Sequence, residues 1–175
     1  RDRGRALVQI ADALDADLES VARLLALETG NAIRPQARPE VKSAADVFRY
    51  FGGLAGELKG ETIPLGEHVL SYTRREPIGV VGAIVPWNAP VVLGALKVAM
   101  ALAAGNTLVL KAAEDAPLAL LRVAQICGRH LPPGVLNLIT GYGEECGAAL
   151  ARHPGVRKLS FTGSTEVGKS IMHAA

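Results

Sequence analysis

Between residues 6 and 27 the apolar side chains Leu7, Ile10, Leu14, Leu18, Val21, Leu24 and Leu25 recur three and four positions apart. In a helix that spacing gathers them on one face, so the segment predicts an amphipathic helix, closed by Gly30-Asn31. A second amphipathic segment spans about 41–58. From 61 to 76 the character changes: Ile63, Leu65, Val69, Tyr72 and Thr73 favour strand and are punctuated by Pro64 and Gly66, which predicts a short antiparallel pair.

Beyond Pro77 apolar, β-branched runs alternate with helical ones. Strands are predicted over 78–85, 107–110, 135–139 and 158–161, and helices over 91–103, 118–129 and 145–151. Near-continuous apolar strands separated by such helices imply a parallel sheet buried on both faces, an α/β doubly wound domain. The chain therefore divides into N-terminal helices (1–60), a β-ribbon (61–76) and an α/β domain (77–175), with the boundary near Pro77.

Composition narrows the class. With 49% apolar and 21% charged residues, a chain of 175 residues has the material for one well-filled core. The net charge of +2 comes from acids and bases spread evenly, so no basic stripe suggests a nucleic-acid partner. The most apolar stretch, 90–110, contains Lys97 and is broken by Gly105-Asn106, so it reads as a buried helix, a turn and a buried strand rather than a membrane span. Two cysteines make no disulfide framework, no secretory leader precedes the first helix, and the expected setting is reducing and cytoplasmic. The four histidines, at 68, 130, 153 and 173, lack metal-ligand spacing, so no metal is expected. The chain opens without methionine, already in helical register, and stops within a helical pattern; it reads as part of something longer.

Doubly wound sheets bind ligands beyond the carboxyl ends of their strands. Those ends carry Pro86-Trp87-Asn88, Lys111-Ala112-Ala113-Glu114, Gly141-Tyr142-Gly143 and Phe161-Thr162-Gly163-Ser164, the last leading to Val167-Gly168. One at a time these have structural readings. Asn88 suits a turn before Pro90, and Lys111 with Glu114 can be a solvated charge pair at a helix start, where Glu114-Asp115 complements the dipole. Gly141-x-Gly143-x-x-x-Gly147 misses the usual dinucleotide fingerprint by one residue and reads as a tight turn. Ser164 suits a helix N-cap, and Lys97 on an apolar helix would ordinarily snorkel. Cys127 lies on an apolar helical face, while Cys146 follows Glu144-Glu145, whose charge disfavours a thiolate.

Together, in this order and spacing, the loops resemble those of the aldehyde dehydrogenase superfamily, and the likeness runs from Leu27-Glu28-Thr29-Gly30 through Arg75-Glu76-Pro77-Ile78-Gly79 to Gly168. The resemblance implies a Rossmann-like cofactor domain. It makes Asn88 the side-chain donor to an oxyanion formed on an aldehyde substrate, a role suited to a preorganised neutral donor in a dry site. It makes Lys111 and Glu114 the clamp on the adenosine ribose, where a carboxylate facing the 2′-oxygen would repel the phosphate of NADP and favour NAD. Trp87 and Ser164 fall at the cofactor diphosphate, with Gly163 permitting close backbone approach and Gly168 close helix packing. Val85, Pro86, Gly143, Gly147, Phe161, Thr162 and Val167 complete the implied cofactor set, and in related betaine aldehyde dehydrogenases a lysine at the position of Lys97 serves a charge relay. Ala112 stands where the family more often has proline, and Ala89 where many members have phenylalanine, which hints at a wider passage.

In the complete enzyme the resemblance implies thiolate attack on the aldehyde, hydride transfer to the nicotinamide and hydrolysis of a thioester. The nucleophilic cysteine and the glutamate that activates water lie beyond Ala175 in the family pattern, so this chain alone is expected to be inactive. Family members are dimers or tetramers joined through an equivalent ribbon. The competing expectation is a non-catalytic relative, as some lens crystallins are. A different NAD(P)-dependent oxidoreductase would carry a glycine fingerprint after the first strand of the α/β domain, where Pro86-Trp87-Asn88 stands instead.

Overall fold

The computed structural model describes residues 1–174. Its N-terminal layer consists of α1 (Asp2–Ala16), α2 (Leu18–Thr29) and α3 (Arg38–Leu54), with a π-helical turn at Ile33–Ala37 leading into α3. The single helix expected over 6–27 is thus two helices. They part at Asp17, whose carboxylate accepts a hydrogen bond from Arg122 Nε at 2.7 Å. One non-helical residue leaves the three- and four-residue spacing of Leu14, Leu18, Val21 and Leu25 unchanged, so the pattern gave no sign of the break. Likewise α3 ends at Leu54, short of the expected 58, just after Gly52-Gly53.

The ribbon forms as expected, with β1 (Thr62–Pro64) antiparallel to β2 (Leu70–Tyr72) and Ile63 opposite Ser71. Both strands face solvent, and Leu70 is 80% exposed.

The main sheet holds β3 (Val80–Ile84), β4 (Thr107–Lys111), β5 (Leu136–Ile139) and β6 (Lys158–Phe161), all parallel, in the order β5-β4-β3-β6. The connecting helices are α4 (Pro90–Ala103), α5 (Leu118–Gly128) and the short α6 (Ala148–Arg152), which follows a π-helical turn at Gly143–Gly147; α7 (Thr165–Ala174) comes last. The strand expected over 78–85 is trimmed to five residues because Gly79 adopts φ +117° and is tied sideways by Asn106 Oδ1, which accepts its N–H at 3.0 Å. The helix expected over 145–151 begins as the π turn and ends one residue later.

Alternation along the strands assigns the two faces. Val81, Ala83, Leu108 and Leu110 point into the main core with Val91, Ala95 and Leu120, under α4 and α5, and the N-terminal layer backs those helices. Val80, Val109 and Ile139 face the side of α6 and stay half-buried, since five helical residues cover little of a sheet.

Helix α4 is buried on nearly every side, including Pro90, Val91, Gly94, Ala95, Val98, Ala99 and Leu102. A helix in that position cannot satisfy its terminal N–H and C=O groups with water. No side chain of its own caps its start. Glu40 of α3 does so from outside, its Oε1 accepting from the N–H groups of Val91 at 2.9 Å and Val92 at 3.2 Å. At the other end Arg3 Nε donates to the carbonyl of Ala103 at 3.1 Å. Helix α5 is served in the same way by Glu28 of α2, which accepts from Leu118 at 2.6 Å and Ala119 at 2.9 Å.

Burial pushes the Glu40 carboxyl above its ordinary value of 4.5, aided by the charge of Glu28 and opposed by the two backbone donors. Because the folded state holds this proton to higher pH than the unfolded chain, the contribution of Glu40 is greatest below the ordinary carboxylate value and falls as pH rises through the folded one. Glu40→Ala should destabilise by about 1–2 kcal/mol, the usual loss for an N-cap acceptor, and Glu40→Gln by less. Urea unfolding across pH 4–7 checks the sign: wild-type stability relative to Glu40→Gln should decline with rising pH, and an increase would refute the assignment.

Candidate functional site

The sheet register places the four strand ends side by side. Ile84 pairs with Lys111 on one side and Phe161 on the other, and Lys111 pairs with Ile139. The chain passes from β3 to β4 to β5 and then returns to the far side of β3 with β6, so strand order reverses between β3 and β6. At such a switch point the loops on either side diverge and leave a crevice. The loop carrying Trp87 and Asn88 and the turn carrying Gly163 and Ser164 flank it.

Lys111 ends β4 with its side chain buried, and Nζ meets Glu114 Oε2 at 2.6 Å. That contact, reinforced by a backbone N–H, holds the Glu114 carboxyl below the usual carboxylate range. The Glu114 side chain is itself 39% exposed.

Between α6 and α7 opens a cleft of about 270 Å³, lined by Ile84, Lys111, Gly143, Gly147, Val167 and neighbours on the two helices. Half of that lining is small, Gly143, Gly147, Ala148, Ala151, Ser170 and Ala174: a Cβ on Gly143 would meet nothing within 4 Å, and one on Gly147 only Ile84 at 4.0 Å. Sequence reasoning missed Glu144, Ala148, Ala151, Arg152, Ser170, Ile171 and Ala174 in this lining. For Ala148, Ala151, Ser170, Ile171 and Ala174 the signal was present as small and apolar residues at helical spacing along 147–151 and 167–174, but nothing local indicated that the two stripes face each other, and Glu144 and Arg152 carried no such signal.

At the end of β6, the Thr162 N–H bonds the Ile84 carbonyl at 3.1 Å, and Ser164 Oγ accepts from the Val167 N–H at 3.3 Å, capping α7. At Gly163 a Cβ would lie 2.5 Å from the tip of the Phe161 ring, so any larger residue there would force that ring to move. Gly168 is a different case. Its Cβ would stand at an ordinary 3.5 Å from the same ring, so close helix packing does not demand glycine there. The tight turn expected at 141–143 does not form: Tyr142 is extended and Gly143 already opens the π-helical turn, while Gly141 has φ +147° and a Cβ on it would press on Cys146 at 2.8 Å.

Val85 is buried and its N–H bonds the Lys111 carbonyl at 3.3 Å, whereas Pro86 is half-buried and Trp87 is 53% exposed. Asn88 is exposed, with its backbone oxygen accepting from Asn31 Nδ2 at 3.3 Å. The dry surroundings expected for it are not formed by the described residues, because the loop stands at the open rim of the sheet.

Lys97 does not snorkel. It is only 7% exposed, and Nζ donates to Ser160 Oγ on β6 at 3.0 Å. On the enclosed side of this helix a lysine stem has no route to water, and burial lowers its pKa. Cys127 is fully buried and its thiol is pushed up to about 12, so it carries no thiolate at neutral pH. Cys146 is half-buried beside Gly141. No cluster of metal-ligating side chains occurs among the described residues, and no described helix is long and apolar enough to cross a membrane.

A parallel sheet with a switch point, a lysine–carboxylate pair at one strand end and a small-walled cleft between the following helices define an α/β nucleotide-cofactor domain. The pattern of the aldehyde dehydrogenase family matches residues 1–175, and the chain belongs to that family. It is 44% identical over 174 residues to retinaldehyde dehydrogenase 3 of Rattus norvegicus, covering 99% of this chain and 34% of that protein. Acetaldehyde dehydrogenase of Pseudomonas aeruginosa is 42% identical over 175 residues, covering 100% and 35%. PnpE of Pseudomonas sp. WBC-3, solved in complex with nicotinamide adenine dinucleotide, superimposes with a TM-score of 0.96 at 45% identity, over 98% of this chain and 36% of that one. The chain thus spans about a third of the length of the relatives it matches.

Proposed function

We propose that the chain supplies the NAD site and the oxyanion donor of an aldehyde dehydrogenase that converts an aldehyde to a carboxylic acid through a cysteine thioester. The carrying observation is the alignment of the Lys111–Glu114 pair and the Asn88 loop on one sheet rim, on neighbouring strands that share register at Ile84 and Lys111. The solved NAD complex of PnpE supports the choice of cofactor.

The residues fit a dinucleotide. Lys111 and Glu114 would hold the adenosine ribose by its hydroxyls, the cleft between α6 and α7 offers a narrow apolar slot free of Cβ atoms at Gly143 and Gly147, and the α7 N-terminus capped by Ser164 would meet the diphosphate with Trp87. NAD, when bound, supplies the hydride acceptor. Glu114, kept ionised by Lys111, would repel a 2′-phosphate.

Asn88 would donate to the carbonyl oxygen of the aldehyde as a thiolate adds to its carbon and charge moves onto that oxygen. A donor placed for that charge, and not for the ground-state carbonyl, lowers the barrier directly. Cys127 is buried and protonated, and Cys146, beside Gly141, lies with Val80, Val109 and Ile139 on the α6 side of the sheet. This reading therefore draws its thiolate from neither of these cysteines.

The exposed apolar side chains of the ribbon, Ile63, Leu65, Val69, Leu70 and Tyr72, support assembly into dimers or tetramers through this element. In the full-length protein, sedimentation at micromolar concentration should show an oligomer, and a monodisperse monomer would count against the ribbon's role.

Glu114→Gln should narrow the preference for NAD over NADP, read from titrations of both cofactors at equal ionic strength; a wild-type protein that binds the two equally would remove the role given to Glu114. Asn88→Ala should slow hydride transfer by about a hundredfold or more in pre-steady-state measurements, with NAD affinity and fold retained. An unaltered rate would return Asn88 to the role of a turn residue.

A further inference from the structure

The stretch between β3 and α4 is pinned at both ends and loose between. At one end the Val85 N–H is bonded to Lys111, and at the other the N–H groups of Val91 and Val92 are bonded to Glu40. Trp87 and Asn88 are exposed, and the side-chain contact that reaches Asn88 is the Asn31 amide, which donates to its carbonyl oxygen at 3.3 Å.

Asn31 is itself firmly held. It follows Gly30, whose left-handed φ of +76° turns the chain sharply out of α2 while the Gly30 N–H bonds the Ala26 carbonyl at 3.0 Å. The Asn31 N–H donates to Thr29 Oγ1 at 3.2 Å, and that hydroxyl donates to the carbonyl of the buried Leu25 at 2.7 Å. The anchor on the Asn88 peptide thus runs back to the core of the N-terminal layer.

We propose that Asn31 and Glu40 are positioning residues for Asn88, fixing from the N-terminal helices the peptide that carries the oxyanion donor and the helix that follows it. The proposal rests on the catalytic reading of Asn88. Asn31 holds the Asn88 carbonyl, Glu40 sets where α4 begins, and the Asn88 side chain is thereby aimed without being touched. Catalytic groups tolerate little displacement, and misplacement by about 1 Å can cost up to a hundredfold in rate. A neutral hydrogen bond at an exposed rim adds little to folding stability, so this contact has more effect on rate than on the fold.

The test uses the full-length enzyme and reads hydride transfer, NAD affinity and Tm together. Asn31→Ala should slow hydride transfer roughly tenfold with NAD affinity unchanged and Tm within a few degrees of wild type. Asn31→Asp, similar in shape but without the amide donor, should do the same. Glu40→Gln keeps one acceptor oxygen and should lose less rate than Glu40→Ala. In an Asn88→Ala background the Asn31 substitution should have no further effect, because the group it positions is gone. Equal slowing in both backgrounds, no slowing beside a slow Asn88→Ala variant, or a rate loss in the Asn31 variants matched by a large drop in Tm would each overturn the positioning role. An Asn88→Ala enzyme with normal hydride transfer would instead overturn the catalytic reading beneath it.

Discussion

Helix α4 has almost no side open to water, and its terminal backbone groups must find partners in protein. Glu40 and Arg3, from α3 and α1, provide them. The N-terminal helices therefore do more than cover the sheet. They complete the hydrogen bonding of the element that the sheet packs against, and Glu28 extends the arrangement to α5. A carboxylate drawn partly out of water carries a desolvation penalty, visible in the raised pKa of Glu40, which the two backbone donors offset only in part. The same enclosure explains why Lys97, midway along α4, turns to Ser160 on the neighbouring strand.

Because the caps fix where α4 and α5 begin, they also fix the loops that precede them. The first of these runs from Val85 to Ala89 and the second follows Lys111, and both rise from adjacent parallel strands in register. Four consecutive residues at the end of α2 serve this arrangement in different ways. Glu28 caps α5, Thr29 bonds both Leu25 and Asn31, Gly30 supplies the left-handed turn, and Asn31 reaches the Asn88 peptide. The stretch Glu28-Thr29-Gly30, which carried part of the family likeness, thus has a physical role 90 residues away from its own place in the chain, through Glu28.

Local pattern by itself determined the alternation of strands and helices after Pro77, the ribbon and the buried nature of Cys127. Each depends on periodicity or backbone preference within a few residues, which a linear sequence displays directly. The four loops at the strand ends were legible for the same reason, since parallel strands put their carboxyl ends on one rim whatever their order. The tertiary structure alone decided that strand order reverses between β3 and β6, that the small-residue stripes of α6 and α7 face one another, that Asp17 breaks a helix while bonded to Arg122, and that Lys97 is enclosed. Glu28, Asn31 and Glu40 look in sequence like ordinary polar residues on helix surfaces and ends. Their partners lie 90, 57 and 51 residues away, and a hydrogen bond over that separation is specified by how the layers pack, not by the spacing of residues along the chain.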